Sequence, residues 1–309
     1  MRYLLISLLS SSVFLSGCST MTDAEQPITE TVESKLMSWA DLTTRPQPSP
    51  TESIRVGIGA TDIVDLWIPE GKGLHPTVIM IHGGCWQKAI ADRTLMNYAA
   101  EDLRQKGLAV WNIEYRGVDE EGGGYPGTFQ DVAKAIDALP ALAEKYNLRA
   151  DKIVAYGHSA GGHLATWASL RGNLDPLSPT FVENPTVIHA VINSGGLADL
   201  KASTPVTLQS CLAEIVDDLT GPSSATRPDV FSDTSPAEMF PGSTFHISVN
   251  GDKDRIAPPE LGIAYTKRVM GSGMKAQYVE VPDTGHVELI APDTDAFDKT
   301  AELLIEFFD

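Results

Sequence analysis

The 309-residue chain has little cysteine and little positive charge. Its cysteines, Cys18, Cys85 and Cys211, carry no repeated spacing, which excludes a fold stapled by a disulfide framework. An isolated pair, Cys85 and Cys211, leaves one bond open but makes a weak case for it. Basic residues number 23 against 41 acidic ones, a formal charge of -18 that argues against nucleic acid as a partner and against electrostatic adhesion to anionic lipid. Solubility accounts for the acidic excess. No His, Cys, Asp and Glu set has metal-ligand spacing; Asp252 and Asp254 alone read as turn residues, so no metal is expected, and nothing in the composition points to a cofactor. Gly122, Gly123 and Gly124 follow a strand pattern but lead to Tyr125-Pro126 rather than to the Lys-Ser/Thr of a phosphate loop. Internal repeats and low-complexity tracts are absent as well.

The longest apolar run lies at the start, from Tyr3 to Phe14 after Arg2, and falls short of the roughly 20 residues a helix needs to cross a bilayer. It reads as a secretion signal, residues 1–17, ending in Leu15-Ser16-Gly17-Cys18. That ending resembles the bacterial lipobox, which makes Cys18 the lipidation site and the new N-terminus; an ordinary signal peptide with an incidental cysteine is the competing reading. Ser19 resembles the outer-membrane sorting pattern, so the resemblance implies a lipid-anchored protein of the bacterial envelope, facing the periplasm. Residues 18–35 read as a tether. Val32, Leu36 and Trp39 have helical spacing within Thr31–Leu42, and Pro46, Pro48 and Pro50 end it, so a short helix and an extended segment laid against the domain are expected; a disordered linker is the alternative.

The rest, residues 36–309, is expected to form one catalytic domain, since 42% apolar content supplies a large core. Half-exposed alternation in Asp62–Ile68 is followed by a buried apolar run, Thr77–Ile81. Strand and helix patterns then alternate: a helix over Ala91–Lys106 ending at Gly107, a strand over Leu108–Ile113, and a helix over Thr128–Tyr146 with a kink at Pro140. Strands follow over Ile153–Tyr156, Ala190–Ile192, Phe245–Val249 and Gln277–Val281, and an amphipathic helix over Asp295–Phe308 closes the chain. This succession predicts an α/β fold, a mostly parallel sheet covered on both faces. Residues 197–241 break the alternation around one helical patch, Leu208–Leu219, and are a possible small cap.

Chemistry concentrates at Gly157-His158-Ser159-Ala160-Gly161, between a strand pattern and a Gly/Ala-rich helix pattern. A strand that turns abruptly into a helix tolerates only small residues two positions either side of the serine, and it exposes the hydroxyl at the helix N-terminus. Ser159 is therefore the candidate nucleophile. Such a serine needs a base, a carboxylate to orient it, and donors for the developing oxyanion. His286, in a loop after the last strand, is the candidate base, and Asp254, after the strand ending at Val249, the candidate carboxylate, with Asp252 as fallback. His82-Gly83-Gly84-Cys85-Trp86 directly follows the buried run, and its glycines allow close backbone approach, so the N–H groups of Gly83 or Gly84 are expected to join that of Ala160 at the oxyanion. His82 reads as a residue that shapes this loop. Cys85 and Trp86 are candidate substrate-lining residues, with core packing as an equal alternative for Trp86.

His82 to Trp86, Glu114-Tyr115-Arg116, Gly157 to Ala165, Asn250 to Pro258 and Gly285-His286 together resemble bacterial α/β-hydrolases of the hormone-sensitive-lipase and kynurenine-formamidase group, near the BD-FAE-like esterase branch. The resemblance implies an α/β-hydrolase fold and a serine hydrolase that cleaves small carboxylic esters through Ser159, Asp254 and His286 without a cofactor. It leaves open an arylformamidase acting on an N-formyl amide. A catalytically silent lipoprotein that binds a ligand or an envelope partner is the third reading; the substrate and the oligomeric state stay open.

Overall fold

Apolar runs bounded by turn residues become the strands of one eight-stranded sheet. The structure, a computed structural model, describes residues 35–207 and 211–309, apart from the Cys211 side chain; the expected signal peptide, Cys18 and the tether up to residue 34 lie outside the described residues. The strands are β1 (Glu52–Arg55), β2 (Ile63–Trp67), β3 (His75–Ile81), β4 (Ala109–Ile113), β5 (Leu148–His158), β6 (Ala190–Ser194), β7 (Phe245–Gly251) and β8 (Ala276–Val281). Their order is β1-β2-β4-β3-β5-β6-β7-β8, antiparallel at β1-β2 and β2-β4 and parallel from β4 to β8. Near-continuous Val and Ile runs make the central strands, since both faces of a parallel sheet are covered.

The helices are α1 (Trp39–Thr43), α2 (Asn97–Gln105), α3 (Gly127–Asp137), α4 (Leu139–Tyr146), α5 (Ala160–Leu170), α6 (Leu200–Ser203), α7 (Cys211–Thr220), α8 (Pro259–Gly271) and α9 (Asp295–Phe308). On one face Ile79, Ile81, Trp111 and Ala155 pack against Phe129, Leu139, Leu164 and Tyr265 of α3, α4, α5 and α8. On the other, Val78, Met80, Val110 and Val154 pack against Leu103 of α2 and Phe297 and Leu304 of α9. The expected long helix over 128–146 is two helices, because Pro140 in the first turn of α4 has no N–H to continue the ladder from α3. The helix expected from Ala91 begins with a 3-10 turn over Arg93–Met96, capped by the Asp92 side chain, before α2. No helix among the described residues is long and apolar enough to cross a membrane.

Parallel registry sets the strand ends level. Ile81 of β3 aligns with Gly157 of β5, His158 with Ser194 of β6, and Ser194 with Val249 of β7. The chain leaves β3 toward β4 on one side and β5 lies on the other, so the carboxyl ends of β3 and β5 flank a crevice at this switch point. The segments after β3, β5, β7 and β8 all emerge at that edge.

Candidate active site

Ser159 sits at the turn from β5 into α5 with φ 55 and ψ -122, a region that L side chains avoid unless neighbours enforce it. The enforcement is visible. Its N–H donates to the Ser194 carbonyl at 2.9 Å, and its own carbonyl accepts from the N–H groups of Gly162 and His163. A Cβ on Gly157 would lie 2.1 Å from the Gly161 carbonyl oxygen, and one on Gly161 would lie 2.1 Å from that of Ile81, so neither position admits a side chain.

His286 and Asp254 meet across 32 residues of sequence: Nδ1 of the imidazole lies 2.6 Å from Oδ2 of the carboxylate, with both residues buried. The second carboxylate oxygen, Oδ1, accepts from the N–H groups of Ile256 and Ala257 at 2.8 and 2.9 Å. Both oxygens are thus committed, and the ionised form is the one that can accept from all three donors. Asp252, the fallback, points elsewhere: it accepts from the Thr284 N–H and pairs with Lys253. Nε2 of His286 has no hydrogen-bond partner among the described residues. His286 and Ser159 line the same cavity, of about 340 Å³, together with Gly84, Cys85, His158 and Ile256.

The loop after β3 closes over the serine. A Cβ on Gly83 would lie 3.0 Å from Ser159 Cβ and 2.9 Å from His158 Nδ1, so the backbone here approaches Ser159 as closely as a side chain would otherwise do. Beneath it lies a polar support made by the Glu114-Tyr115 pair at the end of β4. His82 Nε2 is 2.8 Å from Glu114 Oε1 and its Nδ1 is 2.6 Å from the Gly83 carbonyl oxygen. Tyr115 stacks on the His82 ring with centroids 4.2 Å apart and donates its hydroxyl to the His82 carbonyl. Lys88 and Arg93 add 3.0 and 3.3 Å contacts to Glu114 Oε2. Burial alone would raise the Glu114 carboxyl, but the charges of His82 and Lys88 outweigh it and hold that carboxyl well below the usual range.

Of the two expected lining residues, Cys85 lies on the cavity wall and Trp86 does not. The Trp86 indole is 1% exposed, and its Nε1–H donates to His163 Nδ1 at 3.1 Å. A buried indole needs an acceptor, and α5 supplies one in the core, so Trp86 anchors the loop from behind. Cys85 is disulfide-bonded; the Cys211 side chain lies outside the described residues. The described lining residues include none from 197–241, and α1 stands at the cavity instead.

Two features escape motif reading. His158 donates its Nε2–H to the carbonyl oxygen of His286 at 3.0 Å, and burial, helped by the neighbouring His286, pushes its pKa well below the ordinary value. It is therefore a neutral ring that pins the backbone of the candidate base. Glu288 accepts from the Gly285 N–H and from the Met37 N–H, tying the histidine loop to the N-terminal segment. Neither partner pair has a sequence signature, because the residues are separated by 128 and 251 positions.

Comparison with known proteins agrees with this architecture. The esterase LipC of Mycobacterium tuberculosis is 27% identical over 238 residues, 74% of this chain and 58% of LipC. The probable carboxylic ester hydrolase LipM of the same organism is 29% identical over 147 residues, 46% of this chain and 33% of LipM. The chain thus spans less than two thirds of either relative. Among solved structures, esterase B from Lactobacillus rhamnosis superposes with a TM-score of 0.73 at 19% identity, covering 85% of this chain and 87% of that one. A thermophilic esterase from Thermogutta terrifontis gives 0.66 at 20% identity over 85% and 94%. These likenesses identify the α/β-hydrolase fold. The BD-FAE family model matches residues 64–268, from β2 into α8, and with two thirds of its length matched the chain belongs to the BD-FAE family.

Proposed function

We propose that the chain is a serine hydrolase of carboxylic esters, with Ser159 as nucleophile, His286 as general base and acid, and Asp254 as the carboxylate that orients it. The observation that carries this reading is the buried 2.6 Å contact between His286 and Asp254, whose imidazole lines one cavity with the strained Ser159. The names of the mycobacterial relatives, an esterase and a probable carboxylic ester hydrolase, support the same bond type.

With Asp254 accepting from Nδ1–H, the neutral tautomer of His286 carries its lone pair on Nε2. Nε2 takes the Ser159 hydroxyl proton as Oγ bonds to the ester carbonyl carbon, and the carbonyl π pair moves onto oxygen. Gly83, Gly84 and Ala160 are the proposed donors to that oxyanion, Ala160 being the first residue of α5, whose N–H has no acceptor within the helix. Collapse breaks the bond to the alcohol oxygen, which leaves with the proton from Nε2. Water then loses a proton to Nε2 as its oxygen bonds to the acyl carbon, and collapse breaks the bond from that carbon to Ser159 Oγ, which takes the proton back from Nε2 as the acid leaves. Hydrolysis of a p-nitrophenyl ester series from acetate to palmitate, by protein lacking residues 1–18 and by its Ser159→Ala variant, tests this. Turnover lost by a factor of about 10³ or more in the variant is expected. Equal rates in both proteins, or turnover of N-formyl amides alone, would overturn it.

From the Leu15–Cys18 pattern we further propose that Cys18 is acylated and holds the enzyme at the bacterial envelope, with the catalytic domain in the periplasm. More than one acyl chain is needed for firm anchoring, since a single chain binds marginally.

A further inference from the structure

The cavity at Ser159 is bounded on one side by the loop after β3 and its continuation, Ile90 and Leu95, and on another by Trp39 and Thr43 of α1. Four of the chain's five tryptophans, Trp67, Trp86, Trp111 and Trp167, are less than 2% exposed and belong to the core. Trp39 is different: it is 38% exposed, and it stands edge-on to both His158 and His286 with ring centroids 6.2 Å from each. A large apolar ring left half in water beside a candidate catalytic histidine contributes little to folding there and much to the shape of the pocket.

The segment that carries it is fixed at several points. Leu42 is fully buried in the core face shared with Met96 and Tyr98. Before α1, the Met37 N–H donates to Glu288 Oε1 at 2.5 Å, on the same carboxylate that holds Gly285 beside the candidate base. After α1, Arg45 donates to the Pro292 carbonyl, the Tyr98 hydroxyl to that of Arg45, and Asn97 to that of Pro48. With a fixed backbone on both sides, the indole is a wall of set position.

We propose that Trp39 is a specificity-determining residue: its indole closes the cavity against the apolar arm of the ester, restricting that arm to short chains. This rests on the serine hydrolase reading, and concerns which esters the site accepts. An ester presents two arms, acyl and alcohol, and the experiment varies each in turn. Trp39→Ala and Trp39→Phe are compared with the parent chain on acyl chains of two to ten carbons at constant p-nitrophenol, and on butyrates of alcohols of one to eight carbons. In Trp39→Ala one arm's profile shifts toward long chains, with the ratio of kcat/KM for the eight-carbon to the two-carbon member rising about tenfold or more and KM for short members rising while kcat changes less; Trp39→Phe keeps the parental profile. A Tm within a few degrees of the parent is expected, because the ring is outside the core. Parallel profiles for all three proteins on both arms, or a uniform loss across all lengths, would overturn the assignment. Absence of ester turnover in the parent chain itself would instead overturn the hydrolase reading, which the Ser159→Ala comparison reports separately.

Discussion

Replacing Asp254 by asparagine should disable the site through the tautomer of His286. The two oxygens of Asp254 are not equivalent: Oδ1 accepts from the Ile256 and Ala257 N–H groups, and Oδ2 faces His286 Nδ1. In Asp254→Asn the amide oxygen must remain on the side of the two backbone donors, since an NH₂ group there would meet two N–H groups with nothing to accept. The NH₂ group therefore turns toward His286 and obliges Nδ1 to accept, which moves the ring proton to Nε2, where the Ser159 proton has to go. The shape is unchanged and the base is blocked. A carboxylate-to-amide change of this kind in serine triads lowers kcat by about 10⁴, close to 5.4 kcal/mol in barrier. The assay is steady-state hydrolysis of p-nitrophenyl butyrate near pH 7.5 with Asp252→Asn alongside. The second variant should stay within about threefold of the parent, because Asp252 contacts Lys253 and Thr284 rather than the imidazole. The reasoning is wrong if Asp254→Asn retains a tenth of parental kcat, or if Asp252→Asn is the more damaged of the two.

Gly83→Ala would force its Cβ to 3.0 Å from Ser159 Cβ and 2.9 Å from His158 Nδ1, so kcat should drop by about 10² or more, while circular dichroism stays native. Loss of the His158 donor to the His286 carbonyl in His158→Ala should lower kcat roughly five- to tenfold with KM within about twofold, the size of one hydrogen bond; an unchanged kcat would remove its positioning role. Glu114→Gln breaks a buried carboxylate contacted by His82, Lys88 and Arg93 and should lower stability by about 3–5 kcal/mol, read as a drop of roughly 10 °C in Tm. Because the Glu114 carboxyl is held below its unfolded value, that stabilisation is in full force above a pH of about 4.3 and is lost progressively as pH falls from there toward the depressed pKa, so the gap between parent and variant begins to narrow below that pH. Full-length protein should partition with membranes and Cys18→Ser should not, as followed by fractionation and by the mass of the N-terminal peptide.

What was legible in the sequence is what depends on neighbours along the chain. The elbow at Ser159 is a steric rule acting over five consecutive positions, and the buried β3 run followed by two glycines marks its loop in the same local way. Asp254 and His286 could be picked out as candidates because each follows a strand whose end the sheet must bring to one edge. Features set by distant partners were not legible. Trp86 reads as equally suited to a wall or to the core until His163, 77 positions away, takes its N–H. β1 shows one buried residue in four and lies at a sheet edge, where no alternating pattern is required. α8 hides its inward stripe in Gly262, Tyr265, Thr266 and Val269, with one aliphatic residue among them, so helical periodicity is faint although the helix covers β7 and β8.

The valences of the histidines crowded around Ser159 support the proposed base independently of any motif. His82 has both ring nitrogens engaged, by Glu114 and by the Gly83 carbonyl. His163 has both engaged, by Trp86 and the Thr234 carbonyl, and burial lowers its pKa to about 4. His158 commits Nε2–H to the His286 carbonyl, and its remaining nitrogen faces the glycine loop in full burial. A base must be able to accept a proton at one nitrogen while something stabilises the charge at the other. Among these four rings only His286 has a carboxylate on Nδ1 together with an Nε2 that has no partner among the described residues. The surrounding histidines are therefore spent on holding the loop, helix α5 and the backbone of His286. Of the four, the ring that the Asp254 carboxylate orients is the one whose valences fit the proposed base.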